Sequence, residues 1–453
     1  MSSAVRSATG EIAETPIWSV VDSVPAVPAV VGAQLRVPLV TGGSAEYANL
    51  DHGASAPCLN AVRDAVNELL PWYASVHRGA GFASQVCTRV YEGARETLRR
   101  FVGARRTDSV IFTRNTTDAL NLLAAALPAD TSVVVFDTEH HAALLPWAGE
   151  RVHHLGIPES PQEAVRLLDA ALAECADGPK LAVLTGASNV TGELWPVAEL
   201  ARVAREHGAR TVLDAAQLAP HRPVRIADLG VDHAVLSGHK LYAPFGAGAL
   251  VGRDDWLDRA EPYLAGGGAT RSVPDAGEID WNTGPERHEA GSPNTVGVHA
   301  LAKACEVLAE HAEAIEGHED LLLRRLRAGL ATVPGLRELG LFGPEHDRVG
   351  VVSFTVDGQD PGLLAAALSA EHGIGVRDGL FCAHRAVRHL LAGTDAQRAV
   401  RISLGLGTTV EHVDRIVTAL RGLVAHGPQW SYELDGGRWV PVDDPREFPA
   451  ALA

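Results

Sequence analysis

Short, unbroken apolar runs recur through the first half of the chain, at residues 109–113, 133–136, 181–184, 211–214, 233–236 and 248–251. Runs of this length without alternation predict strands buried on both faces. Most are separated by stretches with apolar residues at helical spacing, among them 161–173 and 196–207, and two further helical patterns, 60–70 and 88–101, precede the first strand. This alternation predicts βαβ units and an α/β fold whose mainly parallel sheet carries helices on both faces. A long amphipathic pattern at 298–314 forms the bridge to a second lobe. There, strand patterns at 348–355, 375–377 and 400–403 interleave with helical ones at 361–371 and 410–424, predicting a smaller α+β C-terminal domain. The expected division is a large domain at 45–300 and a small one at 301–428. Residues 1–44, broken by Pro16, Pro25, Pro28 and Pro38, read as an arm packed on the body. The tail at 429–453, with Trp430, Tyr432 and Trp439, reads equally as a docked hairpin or as an interface.

Composition narrows the function. A chain of 453 residues, 46% of them hydrophobic, can bury more than one core. Its formal charge of −17 opposes a phosphate backbone, so no nucleic-acid partner is expected and small-molecule chemistry is. No apolar run reaches membrane-spanning length, and the first residues lack the basic-then-apolar signal pattern, so no membrane association is expected. Cys58, Cys87, Cys175, Cys305 and Cys382 show neither CxxC spacing nor an even count, which suggests no metal site, no disulfide framework and a reducing, cytoplasmic setting.

Candidate chemistry lies where the strands end. After the run 233–236 comes Ser237-Gly238-His239-Lys240, a lysine delivered into a glycine-lined turn; desolvation there would free its amine as a nucleophile. After Thr113, the sequence Arg114-Asn115-Thr116-Thr117 caps a helix and leaves amides for an anion. Asp214 ends an apolar strand and asks for a cationic partner such as a protonated ring nitrogen, with Gln217 close behind. Glu139-His140-His141 places an imidazole where a flat ligand could stack, and Ser188-Asn189-Val190-Thr191-Gly192 follows another strand. Each feature alone is an ordinary cap, turn or surface residue. Their shared position at the carboxyl edge of a parallel sheet points to pyridoxal 5′-phosphate held at Lys240.

These stretches, with His77-Arg78-Gly79 and Ala290-Gly-Ser-Pro-Asn-Thr295, resemble the motif series of the class V aminotransferases over roughly residues 45–425. The nearest branch is the SUF-type cysteine desulfurase and selenocysteine lyase group of fold type I. The resemblance implies that Lys240 holds the cofactor covalently, Asp214 pairs with its ring nitrogen, Gln217 with its ring hydroxyl, and His140 stacks on the ring. Asn115, Thr116, Thr117, Ser237 and His239 would hold the phosphate, with Thr295 reaching the phosphate of a neighbouring subunit in a homodimer. Asn189 and Arg401, with Arg377 and His77, would bind the amino-acid substrate, a guanidinium being suited to two-pronged grip of a carboxylate. Arg377-Asp-Gly-Leu-Phe-Cys382-Ala383 stands where the desulfurases carry Arg-Thr-Gly-His-His-Cys-Ala, so Cys382 falls on the sulfur-accepting cysteine and a sulfur-acceptor protein is implied. Leu380 and Phe381 replace two histidines, and Ala143 replaces an asparagine. Those departures leave open C–S β-elimination, transamination or epimerisation on the same scaffold, a non-catalytic relative, and a Cys382 that is merely a small buried hydrophobe.

Overall fold

The structure is a computed structural model in which residues 25–452 are described; the first 24 residues of the expected arm lie outside them. Seven strands build the central sheet in the spatial order Ser109–Thr113, Gly248–Gly252, His233–Ser237, Arg210–Asp214, Lys180–Thr185, Ser132–Phe136 and Val152–Leu155. All run parallel except Gly248–Gly252, which is antiparallel to both neighbours. The six apolar runs all form strands. The seventh strand, Val-His-His-Leu, has no continuous apolar signature because it lies at the sheet edge, where only Leu155 is buried.

Helices cover both faces. Leu120, Leu123, Trp147 and Leu257 close one side over Ile111, Val133 and Val135, while the helix Phe82–Phe101 and the helix Thr295–Glu310 close the other with Tyr91, Leu98, Leu301 and Leu308. The helix expected at 88–101 begins six residues earlier, at Phe82, and the single bridging helix expected at 298–314 is two. His311, at φ −110° and ψ 14°, is where Thr295–Glu310 ends and Ala312–Leu330 begins.

A second core forms around the antiparallel sheet Leu336–Glu338, Val351–Val356, Ala399–Ser403 and Arg377–Gly379, packed by the helices Ala312–Leu330, Pro361–His372 and Val410–His426. Ala48 and Leu50, early in the chain, belong to this second core, because Ala48–Asn49 pairs in parallel with Ile374–Gly375. The tail is a docked hairpin, Tyr432–Asp435 against Arg438–Pro441. It is held by Glu371, which accepts from the amides of Gln429 and Trp430 and from the Tyr432 hydroxyl at 2.9–3.1 Å. None of the helices is long and apolar enough to cross a membrane among the described residues.

Candidate active site

A cavity of about 260 Å³ opens at the carboxyl ends of the parallel strands, and it gathers residues from eight separate stretches of chain. Asn115, Thr116, Thr117, His140, Asn189, Asp214, Gln217, Ser237, His239, Lys240, Arg377, Cys382 and Arg401 all line it. His77 and Thr295 do not. Together with Arg78 and Gly267, they line a different cavity of about 880 Å³, where His77 bonds Glu92 at 2.8 Å and stands edge-on to Tyr91. Within one chain, therefore, neither reaches Lys240.

The anion cradle is built by strand pairing. Gly248 lies opposite both Thr113 and Ser237, which sets the helix Thr116–Ala125 beside the lysine turn. Asn115 caps that helix by accepting from Asp118 N at 3.0 Å, a contact worth about 1 kcal/mol. Ser237 Oγ accepts from Thr116 N and donates to Thr116 Oγ1, both at 2.9 Å, so the Thr116 hydroxyl keeps its own hydrogen for an outside acceptor. A side chain at Gly248 would meet Asn115 Cα at 2.6 Å, so the glycine is what lets the cradle approach.

Burial pulls the Lys240 ammonium down to about 8 even though the Asp214 carboxylate opposes the shift. Burial raises Asp214, against the pull of Lys240 and of the Ala216 amide, whose N–H it accepts at 2.9 Å. Burial, with Lys240 and His141 nearby, lowers His140 to about 3, leaving a neutral imidazole. His140 Nδ1 accepts from Ala142 N at 3.0 Å, which fixes the ring and leaves its proton on Nε2. Gln217 Nε2 donates to Gly53 O at 2.6 Å and keeps its carbonyl oxygen unengaged by that bond.

At the other end, Asp51 joins two arginines. Arg401 Nη2 lies 3.0 Å from Asp51 Oδ1, and Arg377 Nε lies 3.0 Å from Oδ2. Arg401 also donates to Asn189 O at 3.0 Å and stacks over Phe381, with 5.2 Å between the guanidinium carbon and the ring centre. Its Nε is buried without a hydrogen-bond partner.

Cys382 is the one exposed cysteine of the five; Cys58 is half-buried and the others are buried. Reading Cys382 as a small buried hydrophobe is thereby corrected: the apolar residues before it turn inward, Phe381 packing with Val190, Leu339 and Val387, and leave the thiol outside. Phe381 and Cys382 both take left-handed backbone conformations, φ 50° and 54°, at positions where glycine is favoured. Three hydrogen bonds hold them so: Asn189 Nδ2 to Phe381 O at 2.8 Å, His141 N to Cys382 O at 2.7 Å, and Ala383 N to Leu380 O at 2.9 Å. Two residues beyond, His384 meets His141 edge-on at 4.5 Å, and Arg385 pairs with Asp137.

The model of the family described as Aminotransferase class-V matches residues 48–416. The chain belongs to the class V aminotransferase family. It is 34% identical over 385 residues to a cysteine desulfurase of Klebsiella pneumoniae strain 342, covering 83% of this chain and 92% of that one. A cysteine desulfurase of Dickeya dadantii strain 3937 is 35% identical over 387 residues, with 82% and 91% covered. Among solved structures, the apo cysteine desulfurase of Thermococcus onnurineus NA1 superimposes with a TM-score of 0.75 at 31% identity, over 84% of this chain and 95% of that one. The Escherichia coli cysteine desulfurase CsdA, in its S-sulfonic acid form, gives 0.71 at 30% identity over 83% and 94%. The fold is thus that of these type I pyridoxal-phosphate enzymes, and the family implies that cofactor.

The cavity fits it. An acid with a single protein hydrogen bond, a neutral fixed imidazole, a desolvated lysine and a hydroxyl-lined helix start meet the needs of its ring nitrogen, ring face, aldehyde carbon and phosphate in turn. Two residues went unassigned in the sequence. Asp51 carried no signal, because its partners lie over 320 positions away. Glu139 stood in the quoted motif without a role; it is buried, bonded to Thr185, and pushed up to about 8 by burial and the nearby Asp214 charge.

Proposed function

We propose that this enzyme is a cysteine desulfurase that converts L-cysteine to L-alanine and stores the sulfur as a persulfide on Cys382. The observation that carries this reading is the position of Cys382: an exposed thiol on an anchored, left-handed turn, lining the same cavity as Lys240. Pyridoxal phosphate, when bound there, supplies an electron-withdrawing ring that stabilises negative charge at the substrate's α-carbon. Lys240, Asp214, Gln217, His140, Asn115, Thr116, Thr117, Ser237 and His239 would hold it. Arg401 and Arg377 would take the substrate carboxylate, with Asn189 alongside.

The lowered ammonium of Lys240 makes its amine available to accept the α-proton near neutral pH. The Cys382 thiolate then attacks the substrate sulfur. An S–S bond forms as the carbon–sulfur bond breaks and the electron pair stays on carbon; two protons, the one Lys240 took from the α-carbon and the one Cys382 gave up on ionising, then go to the α- and β-carbons and complete alanine. Because Cys382 is exposed, its outer sulfur is open to a reductant or an acceptor protein. A second copy of the chain would bring Thr295 and His77 to the site, which accounts for their absence from the Lys240 cavity of a single chain.

The test is product analysis with L-cysteine and dithiothreitol. Equal amounts of alanine and sulfide are expected, with the rate at least 100-fold lower in Cys382→Ser. Pyruvate and ammonia would establish β-elimination, and full sulfide release by Cys382→Ser would overturn the persulfide step.

A further inference from the structure

A third cavity, of about 460 Å³, lies behind the segment that carries Asp214 and Gln217. Asp214, Ala216 and Gln217 line the Lys240 cavity, whereas residues 219–225 wall this one, so a single stretch of chain separates the two. The far wall comes from the end of the helix Phe82–Phe101 and from the junction at His311, where Leu308 and Ile315 face Phe101 and Val224. Its size falls within the roughly 300–1,000 Å³ of small-molecule sites, and its lining is mostly apolar.

The charges around it decide what it would hold. Arg222 is engaged with Glu316, Glu319 and Asp320 at 2.7–3.2 Å. Arg225 forms no ion pair among the described residues, and the carboxylate nearest Arg100 is Glu96, at 3.8 Å. One acid, Glu306, lines the cavity. In a chain with 56 acids against 39 lysines and arginines, two loosely engaged guanidiniums beside an apolar hollow complement an anionic head on an apolar body.

We infer that this cavity binds a small carboxylate with an apolar body and that its occupancy is felt at the Lys240 site. The route is short. Leu218 N and Ala219 N donate to Ala215 O, and His221 N donates to Leu218 O, so the wall of one cavity is hydrogen-bonded to the floor of the other. A ligand packed against Ala219 and Val224 braces the turn from which Asp214 and Gln217 project.

Octanoate is the probe and 1-octanol its uncharged counterpart, titrated calorimetrically into the full-length, cofactor-loaded protein. Octanoate is expected to saturate one site per chain and to bind at least 10-fold tighter than octanol. Ala309→Trp, at an exposed helix position on the cavity wall, should weaken octanoate at least 10-fold. Arg225→Glu should weaken it at least 5-fold and leave octanol unchanged. In a separate titration, saturating octanoate should tighten pyridoxal phosphate binding at least 3-fold in the unmodified protein and not in Ala309→Trp, as linkage requires. No saturable binding, equal affinity for octanol, or unmodified binding in both variants would overturn the site. Cofactor affinity indifferent to octanoate would overturn the coupling. These readouts are binding heats, so they stand or fall apart from the desulfurase reaction.

Discussion

Asp51 Oδ1 lies 3.0 Å from Arg401 Nη2, and that contact sets the direction in which a buried guanidinium faces the cavity. The same carboxylate holds Arg377, so one acid fixes two cations and leaves the pair with one positive charge in excess, enough for a single substrate carboxylate. Asp51→Asn keeps the shape and removes the charge. We expect KM for L-cysteine to rise about 10-fold, roughly 1.4 kcal/mol, with kcat changed less than 3-fold. Asp51→Ala leaves the Arg401 charge buried and uncompensated, and a stability loss on the order of 3 kcal/mol is expected in urea unfolding.

Asn189 holds the cysteine loop, because its amide nitrogen donates to Phe381 O. Without it, two successive left-handed residues lose one of three restraints. Asn189→Ala is expected to slow sulfur transfer 10- to 100-fold while pyridoxal phosphate affinity, followed by absorbance titration, stays within 3-fold.

Lys240→Ala should abolish turnover and the visible absorption of lysine-bound cofactor. Retained activity with L-cysteine would remove the basis of the assignment.

Much of this was legible in the sequence because buried parallel strands announce themselves as apolar runs, and their carboxyl ends are where ligands sit. Lys240, Asp214 and the Thr116–Thr117 cradle each follow such a run directly. Asp51 and the placement of Cys382 were not legible, for a common reason: both depend on contacts between residues far apart in the chain. The exposure of Cys382 follows from Phe381 turning inward onto Val190 and Val387, which no local pattern encodes. The Val152–Leu155 strand hid because an edge strand need not be apolar on both faces.

Glu139 gives a pH signature. Its folded carboxyl is raised to about 8 from an ordinary value of 4.5, so between those values the folded chain binds a proton that the unfolded chain has released. Stability therefore falls as pH rises from about 5 through 8. Glu139→Gln, neutral at every pH, should flatten that slope in thermal unfolding of the cofactor-free protein. An unchanged slope would show that Glu139 is already ionised in the fold.

The reversed strand Gly248–Gly252 has a consequence for what this scaffold can become. Through Gly248 it sets Thr113 and Ser237 on one line, two inter-strand spacings or roughly 10 Å apart. The span between anion cradle and lysine turn is therefore measured by backbone ladders, and no exchange of side chains can lengthen it. Novelty in such a frame is confined to its other end, where the loop bearing Phe381 and Cys382 hangs on a few hydrogen bonds and can be rewritten without disturbing the ruler.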